Sequence, residues 1–166
     1  MCNGINFLRK QKSNSDINFL KKAVTIALES EKCGNMPIGA VIVMENAIIS
    51  EGKNAVRIPE FHPGRHAEME ALRNIPANFW SKSKQMTCYT TLEPCIMCFG
   101  SLILHGIGRV VYGASDPEGG ARYLTEHLPK YYCKREIPEF SGPLLPELCD
   151  PLYQRAAEKF NKLMNS

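Results

Sequence analysis

The sequence predicts a layered α/β sandwich in one domain. Short β-branched runs alternate with helix-patterned segments along the whole chain. Glycine and proline punctuate the joins. Neither an internal repeat nor a linker interrupts the 166 residues, a length that supports one ordinary core.

Each element has its own signal. Residues 1–15 are polar and read as a flexible N-terminus, leaving 16–166 as the single domain. A helix is expected from Asp16 to Cys33. Ile17, Leu20, Val24, Ala27 and Leu28 recur at helical spacing, Lys21, Lys22 and Glu29 fill the other face, and Gly34-Asn35 supplies the stop. Ile38 to Met44 and Ala47 to Ser50, joined by Glu45-Asn46, form an antiparallel hairpin. Gly52 to Arg65 is a loop. A short helix begins near His66 and ends before Pro76, and Met86 to Leu92 is a third strand. Pro94 opens the next helix, where its missing N–H costs nothing, and that helix runs to about His105. Arg109 to Ala114 is a fourth strand. The stretch 115–151, with Pro117, Pro129, Pro138, Pro143, Pro146 and Pro151, supports only short turns and one short strand near Ile137–Phe140. An amphipathic helix closes the chain from Pro151 to Met164, with Leu152, Ala156, Phe160 and Leu163 on one side.

Composition narrows the function classes. Apolar residues make up 44% of the chain, as in an ordinary soluble domain. No apolar run approaches the ~20 residues that span a bilayer, and the first ten residues lack a signal-peptide core. A net charge of +3, with Lys and Arg scattered among acids, neither requires nor excludes a nucleic-acid partner. Seven cysteines without a secretory signal point to free thiols in a cytoplasmic location.

Two stretches carry chemistry. One is His66-Ala67-Glu68 and the other is Pro94-Cys95-Ile96-Met97-Cys98. One imidazole and two thiolates suit Zn2+, and a catalytic zinc site pairs three protein ligands with one open position. Cys95 and Cys98 share a helix face three residues apart, at the end where the dipole favours thiolate. His66 and Glu68 reach one pocket only from a helix start. Glu68 is then expected to stay off the metal and shuttle protons, from a water whose pKa zinc lowers from ~15.7 towards ~7 to the amino group that leaves. A structural zinc would want a fourth protein ligand, for which His62 and Cys88 are candidates, with Cys88 better read as a small buried strand residue. His105 and His127 read as surface or helix-end residues. Phe79-Trp80 and Tyr131-Tyr132 could stack on a base, but packing beneath loops is the plainer account. Asp116 and Glu118 read as a solvated turn.

His-x-Glu followed by Pro-Cys-x-x-Cys is the signature of the zinc-dependent nucleobase deaminases. The chain resembles the cytidine/deoxycytidylate deaminase superfamily. Pro37–Val43, Gly52-Lys53-Asn54, His66–Leu72 and Thr91–Cys98 are most similar to its bacterial tRNA adenosine deaminase and guanine deaminase branches. The resemblance runs from about Ile17 to Ala121. It implies a three-layer α/β/α sandwich with a five-stranded mixed sheet. It also implies one Zn2+ per chain on His66, Cys95 and Cys98, and a homodimer. Asn54 would hydrogen-bond the base, with the backbone at Ala67 and Glu93 lining the pocket. The expected activity is hydrolytic removal of an exocyclic amino group from a purine or pyrimidine base or nucleoside. Wobble adenosine in tRNA is the alternative substrate, and a non-catalytic zinc-stabilised module the further alternative. The chain departs from the tRNA-deaminase pattern at Phe61-His62-Pro63-Gly64-Arg65 and in lacking a strongly basic final helix.

Overall fold

The computed structural model describes residues 13–164, so the expected flexible stretch lies almost wholly outside the described residues. The first helix, α1 (Asn14–Lys32), starts two residues earlier than expected because Ser13 caps it, its hydroxyl accepting the Asp16 N–H at 3.1 Å. The stripe it buries is Leu20, Ala23, Ile26 and Ala27 together with two polar residues, Asp16 and Ser30, while Leu28 is exposed. Strands β1 (Gly39–Met44) and β2 (Ala47–Lys53) form the expected hairpin. Glu45 and Asn46 both take positive φ (51° and 61°), the two-residue turn whose twist matches the strands.

The chain continues through α2 (Ala67–Arg73), a 3-10 segment (Ala77–Gln85), β3 (Thr87–Leu92), α3 (Ile96–Leu104) and β4 (Arg109–Ala114). After a second 3-10 segment (Arg122–Glu126) come α4 (Lys130–Cys133), β5 (Glu139–Ser141) and α5 (Pro146–Met164). Several boundaries move from their expected places. β2 runs to Lys53 rather than Ser50 and takes in the first two residues of the expected Gly52–Arg65 loop. Pro94 lies outside α3, whose N-cap is Cys95. The short last strand lies at 139–141 rather than 137–140. The last helix begins at Pro146 and carries Pro151 inside it. Pro151 forfeits one helical hydrogen bond, and the burial of Leu145, Cys149 and Leu152 offsets that loss. Phe160, expected inward, is exposed.

The five strands lie in the order β2-β1-β3-β4-β5. β1 is antiparallel to both neighbours, whereas β3, β4 and β5 are mutually parallel. The sheet is mixed and sandwiched, as the sequence predicts. Alternation along the strands separates two cores. Ala40, Ile42, Cys88, Val110 and Tyr112 pack under α2 and α3 with Ala71, Leu72, Phe99, Leu102 and Ile103. Val41, Val43, Tyr89 and Val111 pack against Leu20 and Ile26 of α1 and Cys149 of α5. The α5 layer sits so close to β4 that a Cβ on Gly113 would fall 2.2 Å from the Cys149 sulfur. Cys33, Cys88, Cys95, Cys98 and Cys149 are free thiols. Cys133 departs from the expectation of free thiols, being disulfide-bonded. Among the described residues no helix is long and apolar enough to cross a membrane.

Candidate active site

Strand directions gather the chemistry-bearing residues at one edge of the sheet. β1 is antiparallel to β2 and to β3, so β2, β3 and β4 all point the same way. Their carboxyl ends lead into Asn54, into Glu93–Cys95 and into loop 115–121, at the edge where open α/β sheets bind ligands. The Ala55 N–H donates to the Arg65 carbonyl at 3.0 Å, which closes loop 55–65 and returns the chain beside Asn54 just before His66.

His66 and Cys95 are the N-caps of α2 and α3, and neither side chain caps its own helix. Both keep extended backbones (ψ 157° and 172°), so their side chains leave the helix axes and meet. This resolves the spacing problem posed by His66 and Glu68. Cap and second helical residue fan towards one place, as a regular helix interior would not allow. The Cys95 and Cys98 sulfurs lie 3.5 and 3.6 Å from His66 Nδ1. All three donor atoms lie within 4.8 Å of one another. A tetrahedral ion with Zn–S near ~2.3 Å and Zn–N near ~2.05 Å needs S···N separations of about 3.5–3.6 Å. The donor set and its spacing therefore fit zinc. Among the described residues no further His, Cys, Asp or Glu joins the group.

The proposed proton carrier is buried beside this cluster. Glu68 is 3% exposed. Its Oε1 accepts the Thr90 hydroxyl at 2.8 Å, and its Oε2 accepts the Cys98 thiol at 3.4 Å. Burial pushes the Glu68 carboxyl above the usual range, against the opposing pull of the His66 charge and the Thr90 hydroxyl. The two thiols differ. Hydrogen bonding from Cys98, then from His66, brings Cys95 down to about 4 in spite of burial. The same pairing with Cys95, reinforced by burial, drives Cys98 far upward. The Cys95 sulfur also raises the basicity of His66.

The other expected residues divide cleanly. Asn54 is buried, its main chain held by Ile38 and by the Ser30 hydroxyl, and its Oδ1 accepts the Val56 N–H at 3.3 Å. Ala67 and Glu93 are buried next to His66 and Pro94 in the chain. Cys88 is fully buried on β3, and His62 is exposed with its Nδ1 accepting the Gly64 N–H. Neither joins the cluster. Phe79, Trp80 and Tyr132 pack against the core, with the Trp80 ring 5.1 Å from that of His105. Tyr131 is exposed beneath Arg135. Asp116 makes the expected turn, its Oδ1 accepting the Glu118 and Gly119 N–H groups.

The sequence reading misses Thr90 altogether and, at Glu93, names the backbone but not the side chain. Thr90 shares the helix-covered face of β3 with Cys88, and a polar residue two positions along a buried strand face demands a partner. That signal was available. The Glu93 side chain, 3% exposed and paired with the loop after β4, had no local signature.

Comparison with known proteins gives one consistent family. Residues 13–114 match the cytidine and deoxycytidylate deaminase zinc-binding region. The tRNA-specific adenosine deaminase of Buchnera aphidicola subsp. Baizongia pistaciae is 43% identical over 122 residues, covering 72% of this chain and 68% of the relative. That of Haemophilus influenzae is 37% identical over 142 residues, covering 84% and 82%. Among solved structures, one from work on tRNA:A34 deaminases that edit A to I at the wobble position superposes with a TM-score of 0.70 at 25% identity, over 82% of this chain and 99% of that one. Guanine deaminase from Bacillus subtilis superposes with a TM-score of 0.55 at 31% identity, over 84% and 92%.

Proposed function

Because this chain belongs to the cytidine and deoxycytidylate deaminase zinc-binding family, we propose that it is a hydrolase acting on C–N bonds that replaces the exocyclic amino group of a nucleobase by oxygen and releases ammonia. The observation that carries the reading is the buried Glu68 carboxyl, 3.4 Å from a sulfur of the His66–Cys95–Cys98 cluster and not part of it. A purely structural metal site has no use for such a group.

His66, Cys95 and Cys98 would hold one Zn2+. When bound, zinc acidifies water in the position that the three side chains leave open, and so supplies a nucleophile at neutral pH. Glu68 moves the protons. Thr90 holds Oε1, and Oε2 loses its Cys98 donor once that thiol becomes a ligand thiolate, so Oε2 is the atom that takes a proton from water, hands it to a ring nitrogen and returns one to the departing amine. Burial and the Thr90 hydroxyl hold the Glu68 carboxyl in one place beside the cluster, which suits it to transfer in both directions. With its Oδ1 engaged by Val56, Asn54 offers its Nδ2 hydrogens to an acceptor on the base. The water and the substrate together balance the ketone-like product and ammonia.

Two substrate readings have separate support. The relatives at 43% and 37% identity carry the name tRNA-specific adenosine deaminase, which favours adenosine within transfer RNA. A small base or nucleoside is favoured by the cations of α5. Lys159 is turned inward onto the Gly34 and Asn35 carbonyls, and Arg155 is clamped on Glu31 at 2.7 and 3.0 Å. Both are committed to protein acceptors, although Arg155 stays 42% exposed and Lys162 on the same helix is exposed. Zinc-loaded protein assayed for ammonia release from guanine, adenine, cytosine, their nucleosides and tRNA decides between them. Turnover of tRNA with inosine formed and steep salt dependence selects the first, turnover of a free base selects the second, and no release from any of them refutes the activity.

A further inference from the structure

Resting on the reading of His66, Cys95 and Cys98 as a metal site, we propose that the Glu93 side chain is a positioning residue. It clamps loop 116–122 onto Cys95 and so sets the spacing of the cluster.

A carboxylate buried this deeply needs partners, and Glu93 takes them from both ends of a single loop. Its Oε2 accepts the Asp116 N–H at 3.3 Å, and its Oε1 accepts the Arg122 N–H at 3.3 Å. Arg122 Nε adds an ion pair to Oε1 at 3.7 Å. The interior of the loop is closed by Asp116, whose carbonyl accepts the Gly120 N–H at 3.0 Å and whose carboxylate accepts the Glu118 and Gly119 N–H groups. Gly120 lies against the Glu93 carboxylate so closely that a Cβ there would sit 2.5 Å from its Cδ and Oε1. A residue with a side chain would push the loop off.

The clamped loop then reaches the cluster. Gly120 forms an antiparallel bridge with Cys95, and the Ala121 N–H donates to the Pro94 carbonyl at 3.0 Å. Cys95 is the cap residue of α3 whose sulfur lies 3.5 Å from His66 Nδ1. Its carbonyl accepts the Phe99 N–H at 2.8 Å, the first bond of α3, but its own N–H lies outside the helical ladder, so its orientation also depends on the bridge to Gly120. Groups that fix a metal ligand from behind matter nearly as much as the ligand, and losing one costs ~10–100-fold in metal affinity.

The test uses full-length protein, wild type and two variants that strike the clamp from opposite sides. Glu93→Gln keeps the volume but only one acceptor oxygen, and Gly120→Ala inserts the forbidden Cβ. Zinc affinity is read by competition with a chromogenic chelator. Thiolate coordination is read from the charge-transfer bands of the cobalt-substituted protein, and loop closure from amide exchange at Asp116 and Arg122. Both variants should bind zinc roughly tenfold more weakly or worse. They should alter the cobalt bands and exchange the two loop amides at least tenfold faster, with protection of α1 unchanged. Wild-type zinc affinity in Glu93→Gln, or weaker binding with the loop amides still protected, overturns the clamp. Wild-type protein that takes up no metal refutes the site reading and this proposal together. Wild-type uptake with unaltered variants refutes the clamp alone.

Discussion

Strand β3 carries two buried carboxylate clusters back to back. On the α1 side, Tyr89 donates its hydroxyl to Asp16 at 2.8 Å, and Arg109 grips the same carboxylate through both nitrogens at 2.7 and 3.1 Å. On the α2 side, the next residue, Thr90, donates its hydroxyl to Glu68 at 2.8 Å. The two acids are almost equally inaccessible, 4% and 3% exposed, yet their proton affinities move in opposite directions. Burial pushes Asp16 upward, but the hydrogen bonds from Arg109 and Tyr89 outweigh it and hold the carboxyl below its ordinary range. Burial leads the shift at Glu68, and the hydroxyl is too weak a partner to reverse it. Among the described residues no Lys or Arg is paired with Glu68. Both depth and countercharge separate the two acids: Glu68 is enclosed on all sides with a hydroxyl as its side-chain donor, whereas Asp16 is paired with the Arg109 guanidinium.

The contrast breaks first at the anchor. Asp16→Ala leaves a guanidinium, itself mostly covered, with Glu139, Ser141 and the Tyr89 hydroxyl beside it but without its bidentate partner. It should cost roughly 3 kcal/mol of stability in chemical denaturation, the lower end for a broken buried pair, while zinc content stays at the wild-type level. The sign with pH follows from the lowered Asp16 pKa. Its contribution is complete above the ordinary value near 3.8 and is lost as the pH falls through the lower folded value. Wild type should therefore lose more stability than Asp16→Asn on acidification, and parallel acid curves would remove Asp16 from the role. The second break is chemical. Glu68→Ala should retain zinc and lower turnover by a hundredfold or more, about 2.7 kcal/mol of barrier. It should cost little stability, because the group removed is a buried acid with weak partners. Undiminished ammonia release would show that protons travel another way.

The same contrast explains what could be read in the sequence. The His66–Glu68 and Cys95–Cys98 spacings were legible because the side chains that meet are near one another along two helix starts. The sheet was legible because β1, β3 and β4 are β-branched runs punctuated by Gly and Pro. The inward face of α1 was read by apolar spacing alone. That spacing placed Leu28 inside and missed Asp16, whose partner Arg109 lies 93 positions away. The apolar spacing of Leu152, Ala156, Phe160 and Leu163 places the start of α5 at Pro151, whereas contact with β4 extends the helix back to Pro146. Loop 115–121 offered only turn residues. Its shape depends on the Glu93 carboxylate, which no local pattern links to it.

The smallest expected effect is also the most discriminating. Thr90→Val preserves shape but removes the hydroxyl from Glu68 Oε1, leaving that oxygen buried without its donor. A hydrogen bond of this kind contributes about 0.5–1.5 kcal/mol net, so turnover should fall by up to about tenfold through a poorly oriented carboxyl. KM should hardly change, because Thr90 is itself fully buried beneath Glu68 and does not face a substrate. Thr90→Ser restores the donor and should restore most of kcat even if the lost methyl group lowers stability, which separates orientation from packing. Unchanged kcat in Thr90→Val would mean that Glu68 is held by its own helix, and that the resemblance between the two faces of β3 ends at geometry. A loss that Thr90→Ser fails to recover would make the residue a packing element of the α2 layer.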